Sequence, residues 1–526
     1  MTKRCVSGCK GLDTNMCEKA PRCSYASGKK RRYCRLRKTY KMNNSDCNIR
    51  NKSVKNHHAT VIQKFMKNTT FKRRAEFLKA HCADSGACYA FGIMRKKIYD
   101  FFDGFTGFEY VSPPIHAIGN PSANGFVKSI QYERKGYTSN AVLKSSTKSS
   151  ADNLAYEFAV GCYLNKMGNR FPCFVNTYGL YYYKDEHTWE HAKNTKTIQT
   201  NILKESLKLY KHLKNYHNDV VEVINEGVCE GSKYGAVLIQ HLKNVQSIGD
   251  VFKNGSRREI NHFVLSHLFH ILYQVYMPLS MMTDNFTHYD LHHNNVMLYE
   301  PVPGTYIQYH YHMGDETVSF KSFYMAKIID YGRAFYKDSD NANNTSVSAT
   351  REVCKISDCN SRTESCGDKS GFKYLTNDSV PSTHYMSSSI KNQSSDLRLI
   401  HMLASHHDVG STLFSEKTYI NTGFDVAAIS DIFEPLMDMM ENTNYGIGLD
   451  SQQEMIYGTK PLAHPGYPKR INNVQDAEKY IRNAILTNNA MHDWNEYNYG
   501  GLDKLGDLHV YSDGRKMKFN IDRTAK

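Results

Sequence analysis

The sequence predicts an α+β fold of two lobes, a small antiparallel β lobe ahead of a larger helical lobe, behind a basic, cysteine-rich N-terminal extension. Three observations predict it. Residues 119–144 alternate apolar and polar side chains with period two, as half-buried strands do. Beyond Phe252 helical spacing dominates, and sheet first with helices afterwards is an α+β order. Charge is segregated: residues 1–75 hold 21 Lys/Arg against 3 Asp/Glu, whereas the remaining 451 hold 46 against 49.

Residues 1–58 are basic, punctuated by Gly, Ser and Asn, and poor in apolar periodicity, which predicts either a small stapled module or disorder. Six of the 14 cysteines (Cys5, Cys9, Cys17, Cys23, Cys34 and Cys47) lie here, and Cys354, Cys359 and Cys366 form a late group. Neither group has paired Cys-x-x-Cys knuckles, so zinc, disulfides and free thiols all stay open. The excess of 21 − 3 = +18 charges in residues 1–75 implies attraction to nucleic acid, anionic lipid or an acidic protein face; a solvated tail without a dedicated partner is the alternative. The N-terminus lacks the apolar core of a signal peptide, so the chain is not expected to be secreted.

Residues 59–110 read as a basic helical linker with further leading helices. Within it, Ile62-Gln63 to Lys72 partly resembles the IQ motif that binds calmodulin-like proteins, with Lys67 and Lys72 at its basic positions and Asn68 where Gly is usual. The competing reading is a helix that packs on the body or links to it. Residues 111–243 form the β lobe. Gly125 to Glu133 and Ala141 to Lys144 are two strands around a turn at Lys135-Gly136. Asp152 to Met167 is a helix with Leu154, Phe158, Cys162 and Leu164 on its apolar face. Tyr234 to Ile239 is a buried strand, and Gln240 to Asn244 is a polar connector. Residues 244–526 form the second lobe, with insertions at about 300–325 and 336–393; the run Tyr306 to Tyr311 predicts an added hairpin in the first of these. The longest apolar run, Phe263 to Met282, contains His267, His270, Gln274 and Pro278, which predicts a buried helix and no transmembrane segment.

Two motifs carry chemistry. His288-Tyr289-Asp290-Leu291-His292-His293-Asn294-Asn295 has the form His-x-Asp-Leu-x-x-x-x-Asn, and Asp330 of Ile328-Ile329-Asp330-Tyr331-Gly332 follows 35 residues after Asn295. Together they supply what phosphoryl transfer from ATP needs: one carboxylate facing the acceptor hydroxyl, and an amide oxygen plus a second carboxylate for magnesium. Lys144 closes a strand 17 residues after Val127, where its ammonium can neutralise phosphates under the preceding loop. That loop holds Gly119, Ser122, Gly125 and Val127; glycines let backbone N–H groups approach phosphate closely. Such a lysine needs an acidic partner on the next helix. Glu157 is the first candidate and Asp152 the second.

This order of elements resembles the protein-kinase fold. The resemblance implies Asp290 as the residue that orients the acceptor, Asn295 and Asp330 as magnesium ligands, Lys144 held by Glu157, and adenine on the connector near Gln240 to Leu242. It implies ATP and Mg2+ as cofactors and a protein Ser/Thr kinase activity. Departures are specific. Tyr289 replaces the Arg that pairs with a phosphorylated activation segment, His292 stands where protein kinases carry Lys, and no Ala-Pro-Glu triplet follows Asp330. Asp-Leu-His is commoner among kinases of small molecules such as aminoglycosides or choline, which makes these the alternative acceptors; a catalytically weak virion adaptor is the third reading. Asp396 suits the buried Asp that caps backbone N–H groups in the larger lobe. Over residues 77–526 the layout resembles divergent kinase-like proteins of large DNA viruses, through Ser122 to Val127, Phe171-Pro172-Cys173-Phe174 and Leu502 to His509. That resemblance implies the host cytoplasm or the virion as the location.

Overall fold

The computed structural model describes residues 9, 12–20, 23–27, 32–36, 93–118, 125–146, 153–209, 234–242, 245–288, 290–340, 395–397, 399–400, 403 and 473–522. Gly119, Ser122, Asp152, Tyr289, the IQ-like run, Cys5, Cys47, the late cysteine group and nearly all of the 336–393 insertion lie outside the described residues. The chain divides into two units, Met1–Ala80 and His81–Lys526.

In the first unit, α1 (Thr14–Lys19) leads into the antiparallel hairpin β1 (Cys23–Ser27) and β2 (Arg32–Leu36). Asp13 caps α1 by accepting from the Met16 N–H at 2.8 Å. Two disulfides, Cys9–Cys23 and Cys17–Cys34, staple the helix and the loop before it to the hairpin. For these four cysteines the structure therefore shows the disulfide arrangement among the three that spacing left open.

The second unit is mixed α+β with antiparallel sheets. It begins with α2 (Ile93–Phe101) and β3 (Val111–Ala117). The period-two run folds as β4 (Phe126–Arg134) and β5 (Tyr137–Ser145). Lys135 (φ 50°) and Gly136 (φ 81°) supply the two left-handed residues that a tight hairpin with matching strand twist requires. After α3 (Asn153–Met167) come β6 (Thr177–Tyr183), α4 (Glu186–Asn194), β7 (Thr197–Ile198), α5 (Thr200–Ser206), β8 (Leu207–Leu209) and β9 (Gly235–Gln240). The strands make one seven-stranded sheet in the order β7-β3-β4-β5-β9-β6-β8. Helix α3 buries the expected Leu154, Phe158, Cys162 and Leu164, but every residue between Leu154 and Leu164 is buried with them, so the helix is enclosed on all sides and not on one face alone.

β10 (Val245–Ser247) passes into α6 (Ile248–Asn254) through a capping box: Ser247 Oγ accepts from the Asp250 N–H, and the Asp250 carboxylate accepts from the Ser247 N–H. α7 (Arg257–Phe263) continues through a π turn, Val264–Leu268, into α8 (Phe269–Met281). This is the expected buried helix. It tolerates Pro278, and its neighbours from Phe269 to Leu279 are buried all round. Among the described residues no helix is long and apolar enough to cross a membrane.

Beyond Phe252 the described residues hold strands as well as the expected helices. β11 (Phe286–Thr287), β12 (Val296–Tyr299), β13 (Thr305–Met313), β14 (Glu316–Ser322), β15 (Met325–Ile328) and β16 (Phe335–Tyr336) follow the helices, and β17 (Asp503–Tyr511) and β18 (Lys518–Ile521) close the chain after α9 (Val474–Thr487) and α10 (Asn489–Asn498). The Tyr306 to Tyr311 run forms the expected hairpin β13–β14, but β17 adds parallel to β13, giving a four-stranded sheet β14-β13-β17-β18. The hairpin buries Ile307, Tyr309, Tyr311, Val318 and Phe320 on one face. Tyr273 of α8 meets Tyr311 edge-on at 5.1 Å between ring centres, so the sheet shares a core with the helix.

Candidate active site

Strand pairing forces the two sequence motifs together. β11 pairs with β16, and β12 pairs with β15. Residues 288–295 connect β11 to β12, while residues 329–334 connect β15 to β16, so both connections leave the same two strand pairs. Val296 faces Ile328 in register, which puts Asn295 and Ile329 side by side. The Ile329 N–H donates to the Asn295 carbonyl at 3.0 Å.

His288 ties the loops across this junction. Its Nε2 lies 2.9 Å from the Ile329 carbonyl, and its Nδ1 lies 3.3 Å from the Asp290 N–H. A carbonyl can only accept and an N–H only donate, so the ring proton sits on Nε2 and the lone pair on Nδ1. The His288 N–H in turn donates to Asp396 Oδ2 at 2.8 Å. Asp396 is buried, and its own carbonyl accepts from Tyr276 Oη at 2.9 Å. These contacts make Asp396 and His288 the floor of the loop rather than its working groups.

Above that floor stand the expected functional side chains. Asn295 donates through Nδ2 to the Asp290 carbonyl at 2.9 Å, which turns its amide oxygen the other way, available as a hard ligand. The Asp290 side chain is 14% exposed, and its Oδ1 lies 3.9 Å from His292 Nε2. Asp330 adopts φ 66°, ψ 71°, a left-handed conformation that a short polar residue tolerates better than a branched one. Its Oδ1 accepts from Lys144 Nζ at 2.9 Å.

Lys144 reaches the same point from the seven-stranded sheet. It lies on β5 between Val127 of β4 and Val237 of β9. Its Nζ donates to Glu157 Oε2 of α3 at 2.7 Å, so one ammonium joins two carboxylates from distant segments. Glu157 is 6% exposed on a helix that is otherwise apolar inward, a place where a carboxylate needs a cation. Burial works against the Lys144 charge, yet Asp330 and Glu157 together hold its pKa above the ordinary lysine value. Burial also raises the Glu157 pKa; the Lys144 charge opposes this and the nearby Asp330 adds to it.

Three other predicted positions take narrower roles. The Gly125 φ of 150° and an ideal Cβ only 2.5 Å from the Ser145 carbonyl show why no side chain fits there: the loop end presses against the end of β5. Gln240 is turned inward, its Oε1 accepting from Asn176 N–H at 3.3 Å and Asn176 Nδ2 at 3.1 Å. Its N–H donates to the Asn176 carbonyl and the His241 N–H to the Asn140 carbonyl, so these connector donors serve the fold. Leu242 of the connector is buried.

Sequence reading missed Gly249. Its N–H donates to the His293 carbonyl at 3.1 Å, and a Cβ there would lie 2.0 Å from Asn294 Oδ1. The start of α6 thus rests directly on the Asp290–Asn295 loop. The capping pattern Ser247-x-x-Asp250 was a usable sign of a helix start at this point.

Neither a protein-family model nor a curated protein matches this chain.

Proposed function

We propose that the chain is an ATP-dependent phosphotransferase of two-lobed, protein-kinase-like fold that transfers phosphate to Ser/Thr hydroxyls of proteins with magnesium. The observation that carries this reading is the Lys144 ammonium held between Glu157 and Asp330, with Asp330 hydrogen-bonded through its neighbour Ile329 to the loop of Asp290 and Asn295. A structural ion pair needs one carboxylate. A second one, exposed by a third and set in left-handed backbone beside an inward amide oxygen, fits a metal–phosphate site better.

In this reading magnesium–ATP, when bound, supplies the phosphoryl group and neutralises its charge. Lys144, kept protonated and aimed by Glu157, binds the α and β phosphates. Asn295 Oδ1 and the Asp330 carboxylate are the groups that would hold the metal. Asp290 accepts the acceptor hydroxyl's hydrogen bond and orients its oxygen. Adenine would lie beside the connector near Leu242, because the Gln240 and His241 N–H groups are committed to the Asn176 and Asn140 carbonyls. The same reading groups the chain with kinase-like proteins of large DNA viruses, acting in host cytoplasm or virion.

The test is transfer of radiolabelled phosphate from ATP to generic protein acceptors by wild type and Asp290→Ala. Equal labelling by both removes Asp290 from the chemistry. His292, 3.9 Å from Asp290 in place of a lysine, favours a small-molecule acceptor as the second reading. Transfer to aminoglycoside, choline-like or sugar acceptors with none to protein would establish it. Failure of magnesium–ATP to raise the melting temperature would leave only a binding or adaptor role.

A further inference from the structure

We infer that Cys9, Cys17, Cys23 and Cys34 form a tetrathiolate site for a soft divalent cation, zinc by its chemistry, whenever the two disulfides of the first unit are reduced. The inference rests on that unit alone and is independent of the phosphotransferase reading.

The four cysteines are 0–2% exposed, and among the described residues of the unit they are the buried side chains. Around them lie only partly buried Leu12, Ala20 and Tyr25. Six-residue α1 and two five-residue strands cannot bury enough apolar surface to hold a fold by themselves, so the crosslinks are the core. Reduction without replacement would leave, among the described residues of the unit, four buried thiols packed against partly buried Leu12, Ala20 and Tyr25.

The sulfurs already converge. The ligand atoms of Cys9, Cys23 and Cys34 lie within 4.8 Å of one another, and Cys17 is bonded to Cys34. A tetrahedral zinc with Zn–S near 2.3 Å needs sulfurs about 3.8 Å apart. Opening each S–S bond and drawing the pairs around one centre is therefore a rearrangement of roughly 1–2 Å, within side-chain reach. One ligand comes from the loop before α1, one from α1, and one from each strand, so a single ion would crosslink the same segments that the disulfides do.

Charge favours the exchange. Four thiolates around a divalent ion carry a net −2, and Lys19, Arg32 and Arg35 belong to the same small unit, within a segment of +18. Positive surroundings lower thiol pKa and favour thiolate. The balance is complete: each disulfide takes two electrons from its reductant, either two thiols that also give the two protons and end as a disulfide, or one phosphine that ends as its oxide while a water molecule gives the oxygen and both protons. The four resulting thiols release four protons as the cation binds. Oxidised, the unit is held by disulfides and takes no metal; reduced, it is held by metal. Disulfides persist in oxidising compartments and thiols in the cytosol, so the site distinguishes the two.

The experiment uses the full-length chain, reduced with a phosphine and titrated anaerobically with Co(II). The expected result is one equivalent producing the sulfur-to-metal charge-transfer and d–d absorption of a tetrahedral tetrathiolate, displaced by one equivalent of Zn(II). The oxidised chain should give none of it. Cys23→Ser and Cys34→Ser should abolish the signal, and Cys354→Ser and Cys359→Ser should keep it. Should either of the first two variants misfold, X-ray absorption of the zinc-loaded wild type decides, with four sulfurs at about 2.3 Å expected. Absent absorption, a mixed nitrogen–sulfur shell, or a signal that survives Cys23→Ser and Cys34→Ser but not Cys354→Ser overturns the inference.

Discussion

Replacing Lys144 by Met keeps most of the side-chain stem and removes only the ammonium. Glu157, 6% exposed, then loses its 2.7 Å partner, and Asp330, 34% exposed, loses its own at 2.9 Å. Removing one member of a buried ion pair costs about 3–5 kcal/mol. Water screens the more exposed Asp330, so the lower end, about 3 kcal/mol at pH 8, is expected. The sign with pH follows from Glu157. Burial already raises its pKa in the wild type, and the Lys144 charge opposes that rise. Without the lysine its folded pKa climbs further above the unfolded value of about 4.3. A carboxyl whose folded pKa is raised destabilises the fold when ionised, and the penalty disappears as pH falls through that pKa towards the unfolded one. The gap between wild type and variant should therefore be widest at pH 8 and narrow towards pH 5. Urea unfolding followed by the fluorescence of Trp189 and Trp494, both buried, measures it at the two pH values. A gap below about 1 kcal/mol, or one that does not change with pH, refutes the buried pairing of Lys144 with Glu157.

Asp290→Asn preserves shape and should lower phosphate transfer by about 10²–10⁴-fold, with the melting temperature nearly unchanged because the amide keeps the size of the carboxylate and His292 Nε2 lies 3.9 Å away, beyond hydrogen-bond distance. Gly249→Ala places a methyl 2.0 Å from Asn294 Oδ1 and should cost about 1–3 kcal/mol by displacing the loop, with transfer reduced although the residue touches no substrate. Unaltered stability in a denaturant melt would show that the contact yields freely. Asp396→Ala removes the acceptor of the His288 N–H and should destabilise by about 2 kcal/mol, read from the same melts. It should also weaken magnesium–ATP protection, because His288 fixes the spacing between Asp290 and Ile329.

What was legible in the sequence was local. The β4–β5 hairpin and its Lys135-Gly136 turn follow from a side-chain period of 2, which neighbouring residues write directly into the chain, whereas α3, read as having one apolar face, is buried all round from Leu154 to Leu164. Glu157 was readable as the partner of Lys144 because only 13 residues separate them. Asp290, Asn295 and Asp330 could be singled out together because the proposed chemistry needs those residue types in that order. Non-local choices were not readable. The parallel union of β13 with β17 spans 197 residues at the His310–Asp507 contact, and neither strand names its partner by its own pattern. Spacing could not choose among metal, disulfide and thiol for Cys9, Cys17, Cys23 and Cys34, since each use needs only sulfurs brought close. Nothing local to Gly249 announces that the His293–Asn294 loop rests on it, and nothing local to Gln240 announces that its side chain turns inward to Asn176. The sequence by itself determined the strand and helix periods and the set of reactive groups. Only the tertiary structure decided which carboxylates share the Lys144 ammonium, because a charge buried among apolar side chains takes whatever partner packing delivers, 186 residues away in the case of Asp330.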